Sequence, residues 1–162
     1  MAILNVGQIA PSFSLPGIDG QAYTLSENGA PLTLAVFFKT TCPTCMTAFP
    51  YIEKIYQGYK GVGLTVWGIS QNDRERSADF AKKYGSTFPI LIDADWRVSK
   101  QYDPNVVPTS LLIASDGKII ESVVAFDKAG LNRLAETIAA RLDAAAQTVA
   151  PDNDGNPPFR PG

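Results

Sequence analysis

The two cysteines of this chain stand three positions apart, in the stretch Cys42-Pro43-Thr44-Cys45. They follow the apolar run 32–38 and precede apolar residues at helical spacing, so we expect them where a buried strand turns into a helix. The free N–H groups of a helix N-terminus stabilise a thiolate, which makes Cys42 the candidate nucleophile. One helical turn brings Cys45 within disulfide reach, so Cys45 could resolve a mixed disulfide formed at Cys42. The pair predicts thiol-disulfide exchange without a bound cofactor.

Two other interpretations of the pair remain open at this point. A structural zinc ion needs four ligands, and the chain has no further Cys and no His. Two buried structural cysteines could also fall at this spacing by chance. The absence of His excludes Ser-His-Asp triads and Cys-His nucleophile pairs.

Composition limits the class of protein further. The 162 residues are 45% hydrophobic and 19% charged, which predicts one folded domain with a real core. The net charge of −2 offers no basic surface for nucleic acid. No apolar run approaches the roughly 18 residues of a membrane span. The stretch Met1 to Gly7 lacks signal-peptide features, so the sequence as it stands predicts a cytoplasmic protein, or a periplasmic or extracytoplasmic one if a signal or anchor was removed.

The order of predicted elements indicates an α/β domain. A βαβ rhythm is followed by a hairpin turn at Ser115 to Lys118, which adds antiparallel partners to a parallel sheet. After an irregular lead-in over 11–23, the predicted strands are 32–38, 64–69, 88–92, 109–114 and 119–124, and the predicted helices are the one after the cysteines, then 74–84, 96–102 and 128–146. Residues 1–146 are expected to form a single domain. The Pro- and Gly-rich tail 147–162 is predicted to bury no face and to be flexible or loosely packed.

A second motif, Val107-Pro108-Thr109, precedes the predicted strand 109–114. Only about 5–6% of X-Pro bonds in folded proteins are cis, so Pro108 by itself indicates an ordinary trans proline at a strand start.

Together these features resemble the thioredoxin superfamily, specifically the branch of thiol-disulfide oxidoreductases that includes TlpA and ResA and adjoins the peroxiredoxins. The resemblance covers roughly 6–142 and depends on the lead-in 7–15, the Cys42 to Cys45 motif, Pro50, the Val-Pro-Thr motif, and 111–119. It implies a thioredoxin-like fold: a central mixed β-sheet flanked by helices, with an N-terminal extension and an insertion around 88–93 before the Val-Pro-Thr motif.

The resemblance also implies roles for residues around the cysteines. Pro108 would be a cis-proline facing the pair, and the backbone of Val107 would pair with an extended substrate segment. Thr41, Pro43 and Thr109 would contribute to the same substrate surface. Pro50 would kink the helix after the cysteines. The implied partners are protein thiols and disulfides, supplied by a redox partner protein.

The sequence departs from the family pattern beside the nucleophile. Thr41 stands where relatives usually have Trp, and Val36 and Ala48 stand where relatives often have acids that accept a proton. Lys39 is a candidate cation that would lower the pKa of Cys42, although a solvated surface lysine fits equally well. Phe38 and Trp67 could line the approach to the site, but a core position is the preferred interpretation for both.

Two alternative functions use the same cysteine pair. A peroxidase would use one thiolate to attack peroxide. Its signature needs an upstream Pro where this chain has Phe38 or Thr41, and an Arg where it has Pro108 and Thr109. A copper-binding or non-catalytic module is the other alternative, since soft thiolates favour Cu(I), but copper-binding relatives add a His.

Overall fold

The computed structural model describes residues 4–162. The predicted domain 1–146 and the signal-free stretch 1–7 both begin with residues 1–3, which lie outside the described residues. The strands are β1 (Ser14–Pro16), β2 (Ala22–Thr24), β3 (Leu32–Phe38), β4 (Leu64–Ser70), β5 (Ile90–Ile92), β6 (Thr109–Ala114), β7 (Ile119–Val124), β8 (Phe126–Asp127) and β9 (Phe159–Arg160). The helices are α1 (Pro43–Tyr59), α2 (Arg74–Lys83), α3 (Arg97–Tyr102) and α4 (Lys128–Arg141).

The central sheet has five strands in the order β5-β4-β3-β6-β7. Strand β3 lies in its middle, parallel to β4 and antiparallel to β6, and β7 joins β6 through the predicted hairpin. This arrangement confirms the mixed α/β sheet of a thioredoxin-like fold. Because β3 and β6 are neighbours, the residues that follow β3 and those that precede β6 meet at the same edge of the sheet.

Strand β3 is buried along its whole length because both faces of the sheet are covered. Leu34, Val36 and Phe38 point to a core shared with α1, α2 and α4. Ala35 and Phe37 point to a second core built from the lead-in and α3. The alternation of side chains along a strand divides the uninterrupted apolar run between the two cores. Phe38 and Trp67 are both core residues, as preferred from the sequence.

Aromatic packing fixes helix α1 against the end of the central strand β3 and against α2. The ring of Phe49 on α1 lies 4.5 Å from that of Phe38 and 4.9 Å from that of Phe80 on α2, measured between centroids. Such clusters bury a large apolar area in a defined geometry, so the start of α1 has a fixed position relative to the end of β3. Pro50 lies inside this helix.

The largest differences from the sequence-based expectation are at the end of α4 and in the tail, whereas the other predicted elements differ by one or two residues at their ends. Helix α4 ends at Arg141, not at Ala146, because Asp143 adopts a left-handed conformation and turns the chain back. The following residues then place Val149 and Ala150 in the first core. The composition of the tail 147–162 predicts that it buries no face, yet the tail packs on the domain and contributes β9, which pairs with β8. Among residues 4–162, no helix is long and apolar enough to cross a membrane.

Candidate active site

Cys42 is the N-cap residue of α1. Its backbone is extended (φ −90°, ψ 112°), and its Sγ accepts a hydrogen bond of 3.1 Å from the backbone N–H of Cys45. The sulfur therefore takes the place that a Ser, Thr or Asp oxygen usually occupies at a helix start. Pro43 follows at the first helical position, where its missing N–H costs no helical hydrogen bond.

The environment of Cys42 favours its thiolate. The hydrogen bond from the Cys45 thiol is the largest cause, and the backbone N–H groups of Cys45 and Thr44 and the positive charge of Arg160 add to it. These interactions outweigh partial burial and lower the pKa of Cys42 from the ordinary value of a thiol to about 6. Cys42 is partly exposed, so its thiolate can meet a partner in solution.

Cys45 lies behind Cys42 and is fully buried. Burial, followed by the hydrogen bond that its thiol donates to Cys42, raises the pKa of Cys45 far above its ordinary value. The two thiols therefore differ: Cys42 is accessible and favours the thiolate, whereas Cys45 is buried and favours the protonated thiol.

The loop before β6 faces this pair. The Val107-Pro108 peptide bond is cis, and the Sγ of Cys42 lies 3.5 Å from the carbonyl oxygen of Val107. The hydroxyl of Thr109 donates a 2.7 Å hydrogen bond to the carbonyl oxygen of Val106, which fixes the turn of the loop. The sheet order thus brings together two motifs that are separated by more than sixty residues in sequence.

The remaining predicted residues take different positions. Thr41 and Pro43 are exposed on either side of Cys42, and Val107 is half-buried across from it. The ammonium of Lys39 lies 4.9 Å from the centre of the Trp96 ring, and Lys39 is not among the charges that lower the pKa of Cys42. The cation that lowers this pKa is Arg160, in the tail.

Sequence reasoning missed two residues that the tail brings to the site, Arg160 and Pro161, and their partners on α1. Thr44 donates a 2.5 Å hydrogen bond through its hydroxyl to the carbonyl oxygen of Pro161. Arg160 donates a 2.9 Å hydrogen bond to the hydroxyl of Thr47. No local pattern in the sequence signals these contacts, because the residues are more than a hundred positions apart.

Across residues 4–162 there is no group of three or more His, Cys, Asp or Glu side chains placed to hold a metal ion. Val36 and Ala48, where relatives often carry acids, are buried apolar residues beside the site.

The fold and the dithiol at the start of α1 define a thioredoxin-like oxidoreductase. The AhpC/TSA family model matches residues 6–122, so the chain belongs to this family. It is 31% identical over 121 residues to the thiol-disulfide oxidoreductase ResA of Halalkalibacterium halodurans, covering 74% of this chain and 69% of that protein. It is 30% identical to ResA of Bacillus subtilis, covering 74% and 68% of the two chains.

Solved structures agree with this assignment. A putative thiol:disulfide interchange protein DsbE from Chlorobium tepidum matches with a TM-score of 0.78 and 27% identity, over 86% of this chain and 99% of that one. A putative protein disulfide isomerase from Bacteroides thetaiotaomicron matches with a TM-score of 0.81 and 25% identity, over 87% and 92%. The predicted resemblance, fold and oxidoreductase class are confirmed.

Proposed function

We propose that this protein exchanges electrons with protein disulfides and dithiols through Cys42 and Cys45. The observation that carries the proposal is the position of the Cys42 sulfur, which caps α1, is partly exposed, and faces the carbonyl of Val107. Disulfide exchange needs a stabilised, accessible thiolate that attacks the substrate and a second thiol that resolves the mixed disulfide.

In the reducing direction, the Cys42 thiolate attacks one sulfur of a substrate disulfide. A Cys42-substrate bond forms as the substrate S–S bond breaks, and one substrate thiolate leaves. Cys45 gives its proton to that leaving thiolate and attacks the Cys42 sulfur, which releases the second substrate thiolate to take a proton from water. The substrate gains two electrons and becomes a dithiol, and the cysteine pair becomes a disulfide.

The departing thiolate is the proton acceptor in this scheme because the site offers Cys45 no acid at the usual positions. Val36 and Ala48 are apolar and buried. A substrate thiolate, with an ordinary pKa of about 8.5, is basic enough to accept a proton as Cys45 begins to attack.

The substrate surface is assigned to the residues around Cys42. Thr41 and Pro43 are exposed beside the sulfur, and the Val107 backbone is the part of the site to which an extended partner segment would add as a strand. Pro108 and Thr109 hold this loop in shape. A partner protein that presents its cysteine in an extended segment suits this surface.

Matched serine variants test the proposal. Cys45→Ser should accumulate a mixed disulfide with a protein substrate, because Cys42 still attacks and nothing resolves the product. Cys42→Ser should form none, and both variants should lose insulin-disulfide reduction. Insulin reduction by both variants at the wild-type rate would reject the proposal.

A further inference from the structure

The segment 151–162, which we call the strap, crosses the face of the molecule that carries Cys42. Strand β9 in the strap pairs with β8, with Phe126 opposite Arg160 and Asp127 opposite Phe159. Beyond β9, Pro161 accepts the hydrogen bond from Thr44 in the first turn of α1. The strap therefore reaches the helix that Cys42 caps.

Gly162 brings the strap to the opposite side of the same site. A methyl group built on Gly162 would overlap the carbonyl oxygen of Val107 and would lie within 3.1 Å of the Val106 side chain. Only a residue without a side chain fits this close to the loop. Pro161 and Gly162 thus span from α1 to the loop before Pro108, across the surface that the proposed exchange reaction assigns to the substrate backbone.

The strap is held at its other end by a buried cation. Lys128 is only 3% exposed, and its ammonium donates to Asp154 at 2.6 Å and to the carbonyl oxygens of Pro151 and Asn156 at 2.9 and 2.8 Å. The hydroxyl of Tyr51 on α1 donates to the other oxygen of Asp154. We call Lys128, Asp154 and Tyr51 the latch.

Between the latch and Cys42 the strap buries little apolar surface. Residues 152–162 are exposed, and Phe159 keeps 55% of its surface in solvent. Hydrogen bonds on the surface hold this part, and such segments open locally at low free-energy cost. The strap can therefore lift while the core stays folded.

We propose that residues 159–162 occupy the place of the substrate segment beside Cys42 and Val107, and that a protein disulfide reacts only after the strap is displaced. This inference rests on the proposed function and adds a condition for access. The position of Gly162 also indicates which partner segment would fit. Because a side chain at Gly162 would overlap the Val107 carbonyl, the partner should present its cysteine in an extended segment with a small residue next to it.

The experiment compares the full chain with Asp154→Asn, which weakens the latch, and with Gly162→Val, which cannot approach Val107. Asp152→Asn is the matched control, because Asp152 is exposed and its side chain makes no hydrogen bond within the described residues. All proteins are fully reduced and assayed at pH 8 against insulin and against the small probe hydroxyethyl disulfide.

A strap that is closed about nine-tenths of the time reduces the apparent rate with a large substrate about tenfold. We therefore expect both weakened variants to reduce insulin about three- to tenfold faster, with less than about a twofold change for the small disulfide. Asp152→Asn should match the wild type. An unchanged or slower insulin rate in both folded variants would overturn the proposal.

A second measurement does not depend on activity. The rate at which a polyethylene-glycol maleimide labels Cys42, divided by the rate for iodoacetamide, should rise in Asp154→Asn and Gly162→Val. If the wild type is labelled but reduces no disulfide, the proposed function fails and this ratio alone decides on the strap. An equal ratio in all four proteins would show that the strap does not cover Cys42.

Discussion

The Cys42 sulfur caps α1, and the same backbone N–H groups, after the larger contribution of the Cys45 thiol, lower the pKa that suits Cys42 to its proposed role as nucleophile. The N–H groups that it accepts from at the start of α1 also stabilise its negative charge. A serine cap in this position would bind the helix equally but could not carry out exchange, whereas the thiolate does both.

The pH dependence of Cys42 alkylation follows from this stabilisation. The pKa is lowered to about 6, so the thiolate is present above that pH and is lost as the pH falls through it. Iodoacetamide labelling of the reduced protein should rise with a midpoint near pH 6. A midpoint near that of an ordinary thiol, at about 8.5, would contradict the described site.

The charge of Arg160 should be visible in the same profile. Arg160 lowers the pKa of Cys42, so Arg160→Gln should move the labelling midpoint upward. The shift should be small, because Arg160 is exposed and solvent screens its charge. Lys39→Gln is the matched control and should leave the midpoint in place, since Lys39 lies over Trp96. Equal shifts in both variants would assign the effect to general surface charge.

Helix α1 is stabilised by its cap at Cys42, and two variants can separate this contribution from the reactivity of the thiol. In Cys42→Ser the oxygen still accepts the Cys45 N–H, whereas Cys42→Ala leaves that donor without its cap. Loss of an N-cap costs about 0.5–2 kcal/mol, so Cys42→Ala should unfold at lower urea than Cys42→Ser. Neither variant can form the Cys42–Cys45 disulfide, so the comparison is free of redox effects. Equal stability would show that the sulfur contributes no cap.

The contribution of the latch to stability should depend on pH, because Asp154 must be ionised to bind Lys128. Hydrogen bonds from Lys128 and Tyr51 hold the pKa of Asp154 below its ordinary 3.8. A carboxylate whose pKa is lowered by folding stabilises the folded state above 3.8 and loses this effect as the pH falls further. The stability difference between wild type and Asp154→Asn in urea should therefore be present at pH 6 and shrink below about pH 4. A difference that grows in acid would contradict the latch.

Local patterns predicted the elements that carry the cysteines, and long-range contacts account for what they missed. The apolar runs of β3, β6 and β7 give the observed bounds, because burial on the sheet leaves little freedom in where such strands end. The run Ala144 to Ala146 favours helix by propensity, yet α4 stops at Arg141 so that Val149 can enter the core.

The strap shows the same limit for the site. Its Pro- and Gly-rich composition predicts a flexible or loosely packed tail, but composition does not reveal that the buried Lys128 ammonium donates hydrogen bonds to three of its oxygens. Cys42 and Cys45 were predictable because their spacing is local. Arg160 was not, because its approach to Cys42 depends on the pairing of β9 with β8.

For the whole molecule, the two cores meet at β3, so they should unfold together. Leu34 faces the core with α1 and α4, while Trp67 reports from the opposite core. Leu34→Ala should lower the free energy of unfolding by about 2–5 kcal/mol. Trp fluorescence, to which the buried Trp67 contributes, and far-UV circular dichroism should give one coincident transition in urea.

The control for this prediction is Ile9→Ala, since Ile9 keeps 62% of its surface exposed and its truncation should cost little. Because Leu34 lies away from Cys42 along β3, Leu34→Ala should also keep the alkylation midpoint near pH 6 while it remains folded. Separate transitions for fluorescence and circular dichroism would mean that the lead-in and α3 form an independent unit. In that case only the core with α1 and α4 would hold β3 in place. The position of Cys42 relative to Val107 would then depend on that core alone.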